Sequence, residues 1–157
     1  MRIDLATGRI TRLAADADLA PQDWDLSGDG TTVYFRAEDR GRTKVFATPA
    51  AGGAVTELVR DGTNSELVVG GRQLFFLRQT FNRPDEVYSY DLASRATAVR
   101  TTLNYALFAR LKLGKVEEYT FTGAGGDTVQ GWLIYPPDFD SSKKYPLLQL
   151  MHGGPAT

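Results

Sequence analysis

A near-repeat of about forty residues constrains this chain more than any other feature. "GDGTTVYFR" (28–36) returns as "GGRQLFFLR" (70–78), and "KVFATPAAGGAVTELVR" (44–60) returns as "EVYSYDLASRATAVRTT" (86–102). Val33, Tyr34 and Phe35 fall on Leu74, Phe75 and Phe76 at a shift of 41, and Val45 and Phe46 fall on Val87 and Tyr88 at a shift of 42. A partial third copy lies at the start, where "IDLATGRITRL" (3–13) matches "YDLASRATAVR" (90–100) two repeat lengths later.

Within each repeat, β-branched and aromatic runs such as "TTVYFRA" (31–37), "KVFATPA" (44–50) and "AVTELVR" (54–60) alternate with turn residues. "GDG" (28–30) and "AGG" (51–53) supply glycines for positive-φ positions. A period near forty with about four strands per period predicts β-propeller blades, because one four-stranded sheet cannot bury both of its faces and must stack against neighbours. A β-sandwich with similar hairpins is the alternative. Counted this way, the chain starts in the last hairpin of one blade and holds about two more. A ring is then completed by residues outside the chain, or the piece packs in another way.

The pattern changes after residue 102. "LNYALFARLKLGK" (103–115) puts Leu103, Leu107, Phe108 and Leu111 on one helical face, which predicts a short helix stopped by Gly114. "KVEEYTFTG" (115–123) and "DTVQGWLIYPP" (127–137) read as strands joined by the turn "GAGG" (123–126). "YPLLQLM" (145–151) is a continuous apolar run and predicts a strand buried on both faces of a larger sheet. The fold class expected is therefore mostly β. About two and a half propeller blades occupy residues 1–112, and the first strands of a second domain occupy 113–157.

Composition narrows the function. A net charge of -1 gives no electrostatic case for nucleic acid or an anionic membrane. No 18-residue apolar run is present, and the first twenty residues lack the apolar core of a signal peptide. A soluble protein of the cytoplasm or periplasm is expected. There are no cysteines and one histidine, His152, so a transition-metal site is not expected, and no cofactor is. "GAGGD" (123–127) has neither the dinucleotide nor the triphosphate glycine spacing and reads as a hairpin turn. The acidic clusters "AEDR" (37–40) and "RPDEV" (83–87) read as solvated blade turns, with the lining of a substrate funnel as the alternative. Asn64, Asn82 and Asn104 do not start a glycosylation pattern.

"HGGP" (152–155) is the motif left with chemical content. Histidine-glycine-glycine loops after the third strand of an α/β-hydrolase present a backbone N–H to the tetrahedral oxyanion. Glycine is needed there because the backbone must approach the substrate without a Cβ. Such a donor is worth roughly 3 kcal/mol of transition-state stabilisation.

The stretch "VQGWLIYPPDFDSSKKYPLLQLMHGGP" (129–155) resembles the start of the catalytic domain in the prolyl oligopeptidase family of serine peptidases. The subgroups it looks most like are the acylaminoacyl-peptidases and the dipeptidyl-peptidase IV-like enzymes. "GW", "PPDFD", "KKYPLL" and "HGGP" stand in family order and spacing. "TTLNYALFARLKLGKVEEYTFTG" (101–123) resembles the family's passage from propeller to hydrolase, and Gly125-Gly126 replaces its frequent Asp-Gly in a turn.

The resemblance implies a peptide hydrolase that releases aminoacyl, dipeptidyl or acylaminoacyl units, with a propeller that screens substrates. It implies that Gly154 donates the oxyanion N–H, and that Gly153 and His152 shape the loop. It also implies that the catalytic Ser, Asp and His lie downstream of the motif. None of the serines here stands in a Gly-x-Ser-x-Gly elbow, and a nucleophile without a base is weak at neutral pH. The 157-residue chain on its own is therefore expected to be inactive. A non-catalytic β-rich module that binds peptides or a protein partner is the alternative function. Peptide is the expected substrate of the whole enzyme. Self-association is expected through strand edges that an incomplete propeller exposes.

Overall fold

The computed structural model describes residues 1–151. Ten strands build the repeat region. β1 (Arg2–Ile3) and β2 (Ile10–Thr11) form a small antiparallel hairpin. β3 (Pro21–Leu26), β4 (Thr32–Asp39), β5 (Arg42–Pro49) and β6 (Thr56–Val59) follow as one antiparallel four-stranded blade. β7 (Thr63–Gly70), β8 (Gln73–Thr80), β9 (Arg83–Asp91) and β10 (Thr97–Val99) form a second of the same order. Among the described residues one parallel ladder bridge, Thr43 to Thr63, links the sheets of the two blades.

The sequence repeat is visible at the level of atoms. In the first blade Phe35 pairs across the ladder with Phe46, their rings stacked at 5.5 Å. In the second, Phe76 pairs with Tyr88 in the same way, at 6.3 Å. The partial third copy is equally close. Asp4 Oδ1 accepts from the backbone N–H groups of Ala6 and Thr7 and from the Thr7 hydroxyl. Asp91 Oδ1 accepts from Ala93, Ser94 and the Ser94 hydroxyl. Each turn closes on a left-handed residue, Gly8 or Arg95, four positions on. An aspartate that caps its own turn explains why "DLATG" and "DLASR" serve the same bend.

The core lies between the blades. Tyr34, Val45 and Val59 of the first pack against Leu67, Leu74, Phe76 and Tyr90 of the second. Period-two alternation sends Phe35, Ala37 and Phe46 to the opposite face, under Leu19 and Val55. Stacking of faces, rather than closure of a single sheet, carries the burial, as blade architecture requires.

Polar groups complete the seam. Asp23 and Asp25 project from β3 and accept from the β7 backbone N–H groups of Leu67 (3.4 Å) and Val69 (2.8 Å). Arg36 pairs with Asp23 at 2.5 Å and donates to the Asn64 carbonyl at 2.6 Å. Asn64 is fully buried beside the Thr43–Thr63 bridge. Its Nδ2 donates to the carbonyls of Thr43 (2.6 Å) and Asp61 (3.0 Å), and its Oδ1 accepts from Arg78 Nε (3.0 Å).

Beyond the blades, α1 (Tyr105–Phe108) is one helical turn, and β11 (Val116–Thr122) and β12 (Thr128–Ile134) form an antiparallel hairpin. Two expectations are corrected here. The helix over 103–115 shrinks to that one turn. Leu103, Leu107 and Leu111 remain exposed, so no buried apolar face supports a longer helix, and a short helix without tertiary packing is marginal. Gly114 does not stop it. Gly114 is glycine because a Cβ there would lie 1.6 Å from the Tyr135 carbonyl oxygen.

The strand over 145–151 is also absent. The segment has no ladder partner among the described residues, and Leu147, Leu148, Leu150 and Met151 are at least 80% exposed. A strand of the doubly buried kind draws all its hydrogen bonds from neighbours, so its apolar sequence alone does not form it. Among the described residues no helix is long and apolar enough to cross a membrane.

Candidate functional site

The described residue groups nearest to a functional arrangement lie where the β11–β12 hairpin meets the ends of the blades. The β4–β5 connection is a two-residue turn with Arg40 and Gly41 both left-handed (φ 51 and 65), the geometry that matches strand twist. The equivalent turn of the second blade is Phe81-Asn82. The hairpin rests on both. Arg42 at the start of β5 pairs with Glu118 of β11 at 2.7 Å, and its guanidinium lies over the Trp132 ring at 4.6 Å. Glu118 and Trp132 are cross-strand partners, so one guanidinium spans the pair.

The indole also meets the turn of the second blade. Trp132 packs against Phe81 with ring centroids 4.9 Å apart. Gln130 Nε2 donates to the Arg40 carbonyl at 2.8 Å and to Glu118 at 2.6 Å. Asn82 Nδ2 donates to the Gly114 carbonyl at 3.2 Å. The same residues border an open cleft of about 470 Å³, lined in part by Asp61, Thr63, Gln79, Phe81 and Trp132.

The acids of this region are held ionised. The hydrogen bond from Arg42 keeps Glu118 below the ordinary carboxylate range. The ammonium of Lys115, and then the hydroxyl of Tyr135, do the same for Glu117, and the Glu117 carboxylate pushes the Tyr135 phenol up. Glu86, read from sequence as a solvated turn residue, is in fact buried at the passage out of the second blade. Its carboxylate accepts from the Thr101 hydroxyl and from the N–H groups of Leu103 (3.1 Å) and Asn104 (2.8 Å). The Thr101 bond first, and then that from Asn104, lower its pKa. Asp39, in the other acidic cluster, pairs with the buried Lys44 at 2.5 Å, and Lys44 also reaches Glu57 at 2.9 Å. Burial opposes the charge on Lys44, but hydrogen bonds to these two carboxylates outweigh it and raise its pKa.

This arrangement positions and does not react. Carboxylates locked as anions by cations and N–H groups are poor proton donors at neutral pH. Ser27, Ser94 and Ser142 donate to Asp29, Asp91 and Asp140 in local turns, and Ser89 accepts from Arg100. Among the described residues no group of three or more His, Cys, Asp or Glu could hold a metal ion. The residues singled out from sequence, His152, Gly153 and Gly154, lie outside the described residues. Sequence reading missed Arg42, Phe81, Asn82 and Trp132. The "GW" at 131–132 was the one signal for them, and it pointed to Trp132 without its partners.

The chain is 36% identical to a probable dipeptidyl-peptidase 5 of Aspergillus niger over 160 aligned residues, 96% of this chain. It is 26% identical to a dipeptidyl-peptidase 5 of Porphyromonas gingivalis over 97% of this chain. It spans 21% and 22% of the length of these two relatives. Among solved structures, an acylaminoacyl peptidase superposes with a TM-score of 0.72 at 21% identity, covering 88% of this chain and 21% of that one. No family model matches the sequence. The blade repeat, the hairpin that follows it and these alignments agree: over its length this chain is similar to one part of the dipeptidyl-peptidases 5 and, in fold, to one part of an acylaminoacyl peptidase.

Proposed function

We propose that this chain is the propeller-to-hydrolase part of a peptide hydrolase that releases aminoacyl, dipeptidyl or acylaminoacyl units. The observation that carries this reading is the alignment with a dipeptidyl-peptidase that runs through both blades and the hairpin at 36% identity. Residues 1–112 are the C-terminal blades of the propeller, and 113–157 begin the α/β-hydrolase domain. Gly154 supplies the oxyanion N–H, with Gly153 and His152 shaping the loop, while the Ser, Asp and His of the triad belong to later sequence. Peptide is the substrate of the whole enzyme, a soluble protein of the cytoplasm or periplasm. The apolar segment 145–151, exposed in this chain, supports self-association when the remainder is missing.

The test compares the purified 157-residue chain with the longer protein that contains it, on chromogenic aminoacyl and dipeptidyl substrates. Turnover by the longer protein, abolished by a serine-directed inhibitor and absent from the chain alone, is the expected result, with light scattering from the chain rising with its concentration. Inhibitor-sensitive turnover by the chain alone, or none by the longer protein, contradicts the reading.

A further inference from the structure

We propose that Arg42 is a positioning residue: its grip on Glu118 and Trp132 seats the β11–β12 hairpin across two neighbouring blades and so sets the approach of the segment that leads to the glycine loop. The inference rests on the peptidase reading above and adds a residue to it. The two turns under the hairpin stand at the same place in successive repeats, so Trp132 is held between Arg42 of one blade and Phe81 of the next. The hairpin therefore fixes its position against the blade-to-blade geometry and not against one blade alone.

Gln130 on the Arg40 carbonyl, Asn82 on the Gly114 carbonyl and Phe81 against Trp132 share the task, and of all the contacts only that of Arg42 carries a full charge. Phe121 and Val129, paired near the turn end of the hairpin, are exposed. The seat thus depends on the end nearest the blade turns, where Arg42 makes a charged hydrogen bond and a stacking contact at once. A planar guanidinium can do both, and a lysine ammonium keeps only the ion pair. Gly41 permits the close fit, since a Cβ there would lie 3.0 Å from Trp132 Nε1 on a backbone already at φ +65. Small misplacements of reacting groups lower turnover more than they lower binding.

The experiment uses Arg42→Ala and Arg42→Lys in the longer protein. Arg42→Ala is expected to lower kcat about tenfold while KM stays within about twofold and the thermal midpoint is nearly unchanged. Arg42→Lys is expected to recover part of the loss. In parallel, Trp24→Phe leaves Trp132 as the sole indole of the 157-residue chain, and adding Arg42→Ala is expected to raise its quenching by acrylamide. Unchanged quenching overturns the seating, and unchanged kcat per folded molecule overturns the positioning role. No turnover by the unaltered longer protein overturns the peptidase reading, and the quenching arm then decides the seating by itself.

Discussion

Asn64→Ala is expected to destabilise the chain by about 3 kcal/mol, with a matching fall in its urea midpoint. The side chain is fully buried and makes three hydrogen bonds. Truncation removes the Asn64 bonds to the Thr43 and Asp61 carbonyls and to the Arg78 Nε–H, at about 1 kcal/mol for each bond. Arg78 aggravates the loss. Burial already pushes its guanidinium pKa down, and Asn64 Oδ1 is its one hydrogen-bond acceptor among the described side chains. Stacking over Phe76 (5.2 Å) and Tyr88 (4.7 Å) does not replace that bond.

The same substitution acts on cooperativity, because Asn64 adjoins the one ladder bridge between the blades among the described residues. Repeats that touch through one seam unfold together only while that seam holds. Hydrogen exchange at the Thr63 amide is expected to accelerate more than exchange within β8. A midpoint within experimental error of the unaltered chain would show that the polar seam is dispensable.

Gly114→Ala is expected to destabilise the hairpin by about 2 to 3 kcal/mol. The added methyl would meet the Tyr135 carbonyl oxygen at 1.6 Å, its carbon at 2.7 Å and the Pro136 carbon at 3.1 Å. All three are backbone atoms, so no rotamer change relieves the overlap, and the root of the hairpin must open. That opening strains the Tyr135 N–H bond to the Lys115 carbonyl (2.9 Å) and the Asn82 bond to the Gly114 carbonyl. Circular dichroism melts and Trp132 emission together read the effect. A melt shifted by less than about 1 °C would mean that the backbone around Gly114 and Tyr135 adjusts freely.

The strands legible in the sequence were those whose alternation is apolar. "TTVYFRA", "KVFATPA" and "QLFFLR" announce themselves because both faces of a blade are buried against other blades. β3 and β7 did not. β3 reads "PQDWDL", with a proline and two aspartates, and neither residue type favours strands. Those aspartates serve the seam, where their carboxylates accept from the β7 N–H groups of Leu67 and Val69. The pattern that defeats a propensity reading is thus the one that joins the blades.

The second region shows the opposite failure. "YPLLQLM" carries the apolar signature of a buried strand, but the strand state depends on neighbours that a local pattern does not contain. "LNYALFARLKLGK" has helical spacing, yet nothing packs on the face it defines, and Glu86 instead gathers the N–H groups at its start. The clasp of Arg42 on Glu118 and Trp132 joins residues far apart in sequence and carries no local signature at all. The glycine loop is legible only through its motif and its resemblance to a family.

On the function proposed above, this sequence leads into a peptidase oxyanion site built on Gly154. A crystal structure of the longer protein bound to a peptidyl boronic acid is the most direct test. The expected result is the Gly154 N–H aimed at the bound oxyanion at about 2.7 to 3.1 Å, with the boron bonded to a serine outside this chain. An oxyanion held by other donors with the Gly154 N–H turned away, or an inhibitor bound without a serine adduct, would contradict it.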